Sequence, residues 1–197
     1  MKVDEANITA IACSIFRDEI ESLRRENKIT VPVMYLDSML HMFPDRLHER
    51  LDKIIKNELE SGKNIILIYG ECSPYMDKYN KNKNIIRLGG INCVNIFLED
   101  RIYRTLRKEG AFFLIHEWAL RWKEIFQNEL GLNAENAKSF MSEMHTKLIY
   151  LDTGSAAVPV DTLNEISDYC GLSYEIMKVT LDVFSTRINE AVEELKK

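Results

Sequence analysis

The stretch Asn64–Tyr69, NIILIY, decides the fold class because it is an almost entirely apolar run with polar residues on both sides. Such a run is typical of a strand that is covered on both faces, as in the middle of a parallel sheet. Further short runs of apolar residues predict more strands. They lie at 8–12, 30–36, 85–88, 111–115 and 147–151.

Longer segments with helical periodicity alternate with these runs. In the segment 44–59, Leu47, Leu51 and Ile55 recur at a spacing of four, and Gly62 follows the end of the pattern. Alternating strands and helices are the pattern of a parallel sheet covered by helices. The sequence therefore predicts an α/β fold with an open, mainly parallel sheet flanked by helices in three Rossmann-like layers.

The chain of 197 residues has the length of one domain, since two independent domains would each have only about 100 residues. We find no linker and no internal repeat, and we expect residues 1–197 to form a single α/β domain. The C-terminus is predicted to be helical. One face of this last helix carries Met177, Leu181, Phe184, Ile188, Val192 and Leu195.

Charge and motifs exclude several function classes. The net charge of -5 offers no general positive field for a phosphate backbone, so we do not expect a nucleic-acid partner. Dinucleotide and Walker fingerprints are missing from the sequence. No apolar stretch approaches the roughly 18 residues of a membrane span. The oligomeric state is left open.

Four cysteines, Cys13, Cys72, Cys93 and Cys170, carry the main chemical signal. The N-terminal segment MKVDEANITA is acidic and lacks the positive charge and apolar run of a signal peptide, so we expect a cytoplasmic protein. Disulfides are not expected in that reducing compartment. The cysteines would then be buried apolar residues, metal ligands or nucleophiles.

Several reactive side chains share a position just beyond the predicted strands. They are Cys13, Cys72, Cys93 and His116, each soon after a strand, together with His41 in the turn after the second strand. The carboxyl ends of parallel strands lie along one edge of an open sheet, where such folds bind ligands. We therefore expect these side chains to converge.

A metal centre is the first hypothesis for this group. A cysteine between a strand and a helix lies near a helix N-terminus, which favours the thiolate that binds metal. Three thiolates suit zinc or an iron-sulfur cluster, so Cys13, Cys72 and Cys93 are the predicted ligands. His116 would supply a fourth ligand or leave one position open for a substrate.

Other interpretations of the same residues stay open. Buried cysteine is commonly a small apolar residue, and Cys170, on a helix before a glycine, is assigned to packing. A second hypothesis is a metal-free interaction module that docks a partner. A third is an enzyme with Cys72 or Cys13 as nucleophile and His116 or His41 as base.

Short stretches along most of the chain resemble DUF1638, a family of uncharacterised prokaryotic proteins. They are IACSIFRDEIESL, LHMFPDRLHERLD, IYGECSPYM, LGGINCVNIFLE, GAFFLIHEW and KLIYLDTG. The resemblance carries over to Cys13, Cys72 and Cys93, with His41 in the LH pair, while the stretch around His116 departs from the pattern. It implies a setting in anaerobic, corrinoid-dependent methyltransferase systems, with a corrinoid protein or a methyltransferase as partner.

Overall fold

The computed structural model of the chain describes residues 5–197, which form two compact units. The first unit consists of the described residues up to Phe97 together with Leu181–Lys197, and the second is Leu98–Thr180. Whether the whole chain forms one domain, as the sequence predicts, stays a prediction.

Seven strands and eight α-helices are formed by the described residues. The strands are β1 (Ile8–Cys13), β2 (Val33–Leu36), β3 (Asn64–Ile68), β4 (Ile85–Arg87), β5 (Ala111–Leu114), β6 (Lys147–Asp152) and β7 (Tyr174–Lys178). The helices are α1 (Arg17–Arg25), α2 (Pro44–Glu60), α3 (Cys93–Phe97), α4 (Asp100–Lys108), α5 (His116–Leu120), α6 (Ala137–Met144), α7 (Val160–Cys170) and α8 (Asp182–Leu195). Short 3-10 helices span Glu5–Asn7, Ser14–Phe16, Ser38–Met42 and Met76–Lys81, and a π-helical turn spans Glu124–Glu129.

The first unit has a four-stranded sheet in the order β2-β1-β3-β4, and every pairing is parallel. All residues of β1 are buried, as expected for a central strand with both faces covered. The edge strand β2 begins directly after Pro32, whose carbonyl accepts a hydrogen bond from the amide of Ala10 at 2.9 Å. Proline lacks the donor that an interior ladder position needs, which suits the start of an edge strand.

Helices cover this sheet through apolar side chains. The apolar side of α2, with Leu47, Leu51 and Ile55, is buried, and the helix packs against β3. Three aromatic rings pack together between α3, α8 and the segment after β1. The rings of Phe16, Phe97 and Phe184 have centroids 5.1–5.4 Å apart.

The second unit has a three-stranded parallel sheet in the order β5-β6-β7. The α/β class, the parallel strands, the flanking helices and the C-terminal helix are all as predicted. The predicted single sheet is instead divided into two. Strand β7 is a second difference, because Met177 was predicted on the last helix but pairs with Leu151 of β6. The last helix begins only at Asp182.

Each helix within residues 5–197 is either too short or too polar to span a membrane.

Candidate functional site

Each strand of the first sheet is followed by one of the predicted reactive side chains. Cys13 is the last residue of β1, and His41 lies in the 3-10 helix that follows β2. Cys72 comes four residues after the end of β3, and Cys93 begins α3 after β4. Because the four strands are parallel neighbours, these side chains lie at one edge of the sheet.

A close backbone approach joins the loops that carry Cys72 and Cys93. A Cβ atom added at Gly70 would lie 2.5 Å from the Cα of Asn92, so only glycine fits there. The amide of Glu71 donates a hydrogen bond to the carbonyl of Ile91 at 3.1 Å. The two loops therefore run side by side, which brings the two cysteines together.

Polar side chains fix the loop before Cys93. The buried side chain of Asn95 accepts a hydrogen bond from the amide of Ile91 at 3.0 Å, and Asn92 accepts one from the amide of Asn95 at 3.0 Å. Arg187 on α8 donates from Nη1 to the carbonyls of Gly89, Asn95 and Ile96 at 3.0, 2.8 and 3.3 Å. This network holds the start of α3 in place.

Hydrogen bonds tie the segment that carries His41 to the end of β1. The amide of Ser38 donates to Oγ of Ser14 at 2.9 Å, directly after Cys13. The carboxylate of Asp37 accepts from the amide of Met39 at 2.9 Å, at the N-terminus of the 3-10 helix. These contacts bring His41 to the same edge of the sheet as the cysteines.

The sulfur atoms form a connected cluster. Cys93 is hydrogen bonded to both Cys13 and Cys72, and Cys72 is also hydrogen bonded to His41. None of the four cysteines, all of which lie in the described part of the chain, forms a disulfide bond. We call Cys13, His41, Tyr69, Cys72 and Cys93 the cysteine site.

The protonation states of this cluster differ sharply. Hydrogen bonding from Cys93, opposed by burial and helped by His41, lowers the pKa of Cys72 from 9.0 to about 5. Hydrogen bonds to Cys13 and Cys72, together with burial, raise the pKa of Cys93 well above its ordinary value. The hydrogen bond with Cys72 raises the pKa of His41 despite burial. At neutral pH the cysteine site therefore holds a thiolate at Cys72, hydrogen bonded to His41, whose own pKa is raised by that contact.

Tyr69 completes the cysteine site and was missed by the sequence reasoning. Its side chain is 2% exposed, and its hydroxyl has no hydrogen-bond partner among the described residues. Burial, and then the charges of the three site cysteines, raise the pKa of Tyr69 well above its ordinary value. The signal was present in the sequence, because Tyr69 carries the one side-chain hydroxyl of the run NIILIY.

His116, the fourth predicted ligand, belongs to the second unit. It is the first residue of α5, directly after β5, and its Nδ1 is 3.1 Å from the hydroxyl of Tyr150. Cys170, at the end of α7, is fully buried, and burial raises its pKa to about 11.

The zinc or iron-sulfur hypothesis is wrong on this geometry. Within residues 5–197, no group of three or more histidine, cysteine, aspartate or glutamate side chains has an arrangement that could hold a metal ion. Cys13, Cys72 and Cys93 converge as predicted, but Cys93 is hydrogen bonded to both Cys13 and Cys72, and its raised pKa keeps it a thiol at neutral pH. A thiolate centre needs deprotonated sulfurs directed at a common point.

The family model described as "Protein of unknown function (DUF1638)" matches residues 35–188 of the chain. The chain belongs to this family. The DUF1638 match includes His41, Tyr69, Cys72 and Cys93, and it begins after Cys13. No curated protein and no solved structure matches the chain.

Proposed function

We propose that this DUF1638 protein is a cysteine-dependent enzyme in which Cys72 is the nucleophile and His41 is its proton partner. The observation that carries the proposal is the position of Cys72, a half-buried residue whose side chain is hydrogen bonded to both His41 and Cys93. Thiolate is the nucleophilic form of cysteine, and a histidine partner is the usual way to stabilise it.

The arrangement supports a two-step covalent reaction. The Cys72 thiolate attacks an electrophilic atom of the substrate, and the His41 imidazolium donates its proton to the leaving group. Neutral His41 then accepts a proton from the second reactant, which is water or another nucleophile. The Cys93 thiol supports the starting thiolate by donating a hydrogen bond to it.

The other cysteines lack the properties of a nucleophile. Cys170 is fully buried and its raised pKa, about 11, keeps it a thiol at neutral pH. Cys93 also remains a thiol, because its pKa is raised. Cys13 is 5% exposed and lies behind Cys93 in the hydrogen-bonded chain. Cys72 is therefore the one thiolate of the cysteine site that solvent reaches.

Alkylation with iodoacetamide tests the proposal, with each cysteine followed by peptide mass spectrometry. We expect Cys72 to react first, at a rate that is nearly constant between pH 6 and pH 8, because its thiolate is already formed. An ordinary cysteine, with a pKa of about 8.5, reacts about tenfold faster for each pH unit in that range.

Two variants serve as controls. Cys72→Ser should remove the fast phase, whereas Cys170→Ser should leave it unchanged. The chain unfolded in urea should regain the ordinary pH dependence. A Cys72 rate in the folded protein that rises with pH like that of the unfolded chain would disprove the proposal.

Thiol-disulfide exchange is a second candidate, favoured by the contact between Cys72 and Cys93. The Cys72 thiolate would attack a disulfide substrate, forming a mixed disulfide with one half and releasing the other half, which takes up a proton. Cys93 would then lose its proton to the half still bound, attack the Cys72 sulfur and displace that half as a thiol, which forms a Cys72–Cys93 disulfide and leaves the substrate reduced. Free thiols in contact fit a reducing compartment, for which we propose the cytoplasm. Incubation with oxidised glutathione tests this candidate: it predicts a linked Cys72–Cys93 peptide, whereas stable glutathionylation of Cys72 argues against it.

The partner proposed for this protein comes from the family resemblance alone. Docking of a corrinoid protein or a methyltransferase stays a proposal, and the Cys72 chemistry does not depend on it. Co-purification from the native organism tests it, with Cys72→Ser as a control that keeps the surface intact.

A further inference from the structure

The hydroxyl of Tyr69 is a buried donor without a partner in the part of the chain that the structure describes. Leaving a buried polar group unpaired lowers the free energy of unfolding, and a phenylalanine of nearly the same size would avoid that cost. Buried polar groups are nearly always hydrogen bonded, so an orphaned one points to a missing ligand. The position next to the proposed nucleophile suggests which ligand this is.

Tyr69 is held at the cysteine site by the fold. It directly follows the last residue of β3, and the close approach of Gly70 to Asn92 fixes the backbone on its C-terminal side. The charges of Cys13, Cys72 and Cys93 all act on its hydroxyl, so the phenol lies near the cysteines of the site. It stays protonated at neutral pH and is available as a donor.

We propose that the Tyr69 hydroxyl donates a hydrogen bond to the oxygen of a carbonyl group that Cys72 attacks, so that the substrate class is an ester or thioester. This inference rests on the proposed function of Cys72 as nucleophile. A fixed donor at the place where negative charge develops is a large source of transition-state stabilisation in acyl transfer. Disulfide exchange and alkyl transfer develop no such oxygen charge, and they give Tyr69 no partner.

The acyl reaction proceeds in balanced steps. The thiolate of Cys72 forms a bond to the carbonyl carbon, and the C=O electron pair moves to oxygen, where Tyr69 donates its hydrogen bond. The pair returns, the bond to the leaving group breaks, and the His41 imidazolium protonates that group. Water then attacks the acyl-Cys72 thioester while His41 accepts its proton. The bond between the carbonyl carbon and the Cys72 sulfur breaks, which releases a carboxylic acid and restores the Cys72 thiolate and the His41 imidazolium.

Two probes applied to the same Tyr69→Phe variant test the inference. The first, p-nitrophenyl acetate, acylates Cys72 through a tetrahedral oxyanion, and nitrophenolate release reports the rate. The second, iodoacetamide, alkylates Cys72 at a saturated carbon without an oxyanion. We expect Tyr69→Phe to lower the acylation rate about 10²-fold and to leave alkylation unchanged. The variant should melt at or above the temperature of the wild type.

Tyr79→Phe is the matched control. Tyr79 is also a buried phenol of the first unit, but its hydroxyl donates to the carboxylate of Asp52 at 2.8 Å. This control should keep both rates. Equal slowing of acylation by Tyr69→Phe and Tyr79→Phe, or no slowing by either, overturns the inference.

The outcomes separate this inference from the proposed function. Slow alkylation of Cys72 in the wild type refutes the nucleophile itself. Fast alkylation together with no release of nitrophenolate keeps the nucleophile and overturns the acyl class.

Discussion

The two units of the chain have the same architecture, but the histidines that follow their strands have different partners. Both contain a parallel sheet, and in both a histidine follows a strand: His41 after β2 and His116 after β5. In the first unit His41 contacts a thiolate that belongs to a chain of three sulfurs. In the second unit His116 pairs with the hydroxyl of Tyr150, the pairing that a buried hydroxyl ordinarily finds.

The difference shows that a position at the strand ends does not by itself make a reactive site. Cys170 of the second unit is fully buried and keeps its proton, whereas Cys72 has hydrogen bonds with Cys93 and His41 and loses its proton. The same residue type thus has a pKa of about 11 in one unit and about 5 in the other. The pKa values differ because Cys72 has hydrogen-bond partners on neighbouring loops, in Cys93 and His41, whereas burial alone acts on Cys170.

Gly70→Ala should have the largest effect on this comparison. The new Cβ would meet the backbone of Asn92 at 2.5 Å, where no flexible side chain can yield, so the two loops must separate. We expect the free energy of unfolding to fall by about 3 kcal/mol or more, as measured by urea denaturation. Alkylation of Cys72 should also regain the pH dependence of an ordinary thiol.

Gly89→Ala is the control for that change. Gly89 lies in the loop before Cys93, but a Cβ there would meet nothing within 4 Å. Its denaturation midpoint should match the wild type. Equal destabilisation by both alanines would mean that the close approach at Gly70 is not what holds the loops together.

Arg187→Ala should have the next largest effect. It removes the donor shared by three carbonyls around α3, with N–O distances of 2.8–3.3 Å, and leaves those carbonyls to find other partners. We expect a loss of about 2–3 kcal/mol in urea denaturation, because the donor is charged and two of the three contacts are part-buried. Cys93 should become more accessible to alkylation.

Arg24→Ala is a suitable reference for Arg187. Arg24 forms an exposed pair with Glu21 at 3.2 Å on α1, and such pairs contribute less than about 1 kcal/mol. A loss at Arg187 no larger than that at Arg24 would show that the loop before Cys93 is held by its asparagines alone.

Most residues of the cysteine site could be predicted from the sequence, because they share a position at or just after the end of a strand. Parallel neighbouring strands bring such residues to one edge of the sheet, as they do for Cys13, His41, Cys72 and Cys93. What they do there was not predictable. Whether three sulfurs bind an ion or share a proton depends on distances and directions that strand-end positions do not specify.

The fold class could be predicted from the sequence, but the division of the strands into two sheets could not. Apolar runs indicate where strands lie but not which strands pair, so nothing in the sequence pattern indicated that the strands would form two sheets. Strand β7 was missed since it lies at a sheet edge, with Glu175, Ile176 and Lys178 exposed, and its period resembles that of the following helix. Tyr69 was missed because an apolar run was interpreted as packing alone.

The Cys72 thiolate predicts a pH-dependent contribution to stability. A folded pKa of about 5, below the ordinary 9.0, gives a contribution that is present above the unfolded pKa and is lost as pH falls toward 5. Between pH 5 and pH 7 the difference in unfolding free energy between wild type and Cys72→Ser should grow by about 1–2 kcal/mol, allowing for partial solvent exposure. Urea denaturation at each pH measures it.

The second unit supplies the comparison for this pH series. Cys170 remains a thiol in both folded and unfolded chains below pH 7, because its pKa is raised rather than lowered. The difference between wild type and Cys170→Ser should therefore be constant over the same range. A constant difference for Cys72→Ser as well would show that Cys72 is an ordinary thiol.

Tyr150→Phe should have the smallest effect and tests the second unit, where the histidine contacts a tyrosine and not a thiolate. It removes one partner of the 3.1 Å contact with Nδ1 of His116, and the net loss of one neutral hydrogen bond is about 1 kcal/mol. Alkylation of Cys72 and release of nitrophenolate should stay at the wild-type rates, since neither Tyr150 nor His116 is a residue of the cysteine site. A fall in either rate without a matching fall in stability would contradict this prediction. Tyr69→Phe provides the contrast, because the hydroxyl lost there has no hydrogen-bond partner within residues 5–197, so the acylation rate should fall while stability holds or rises.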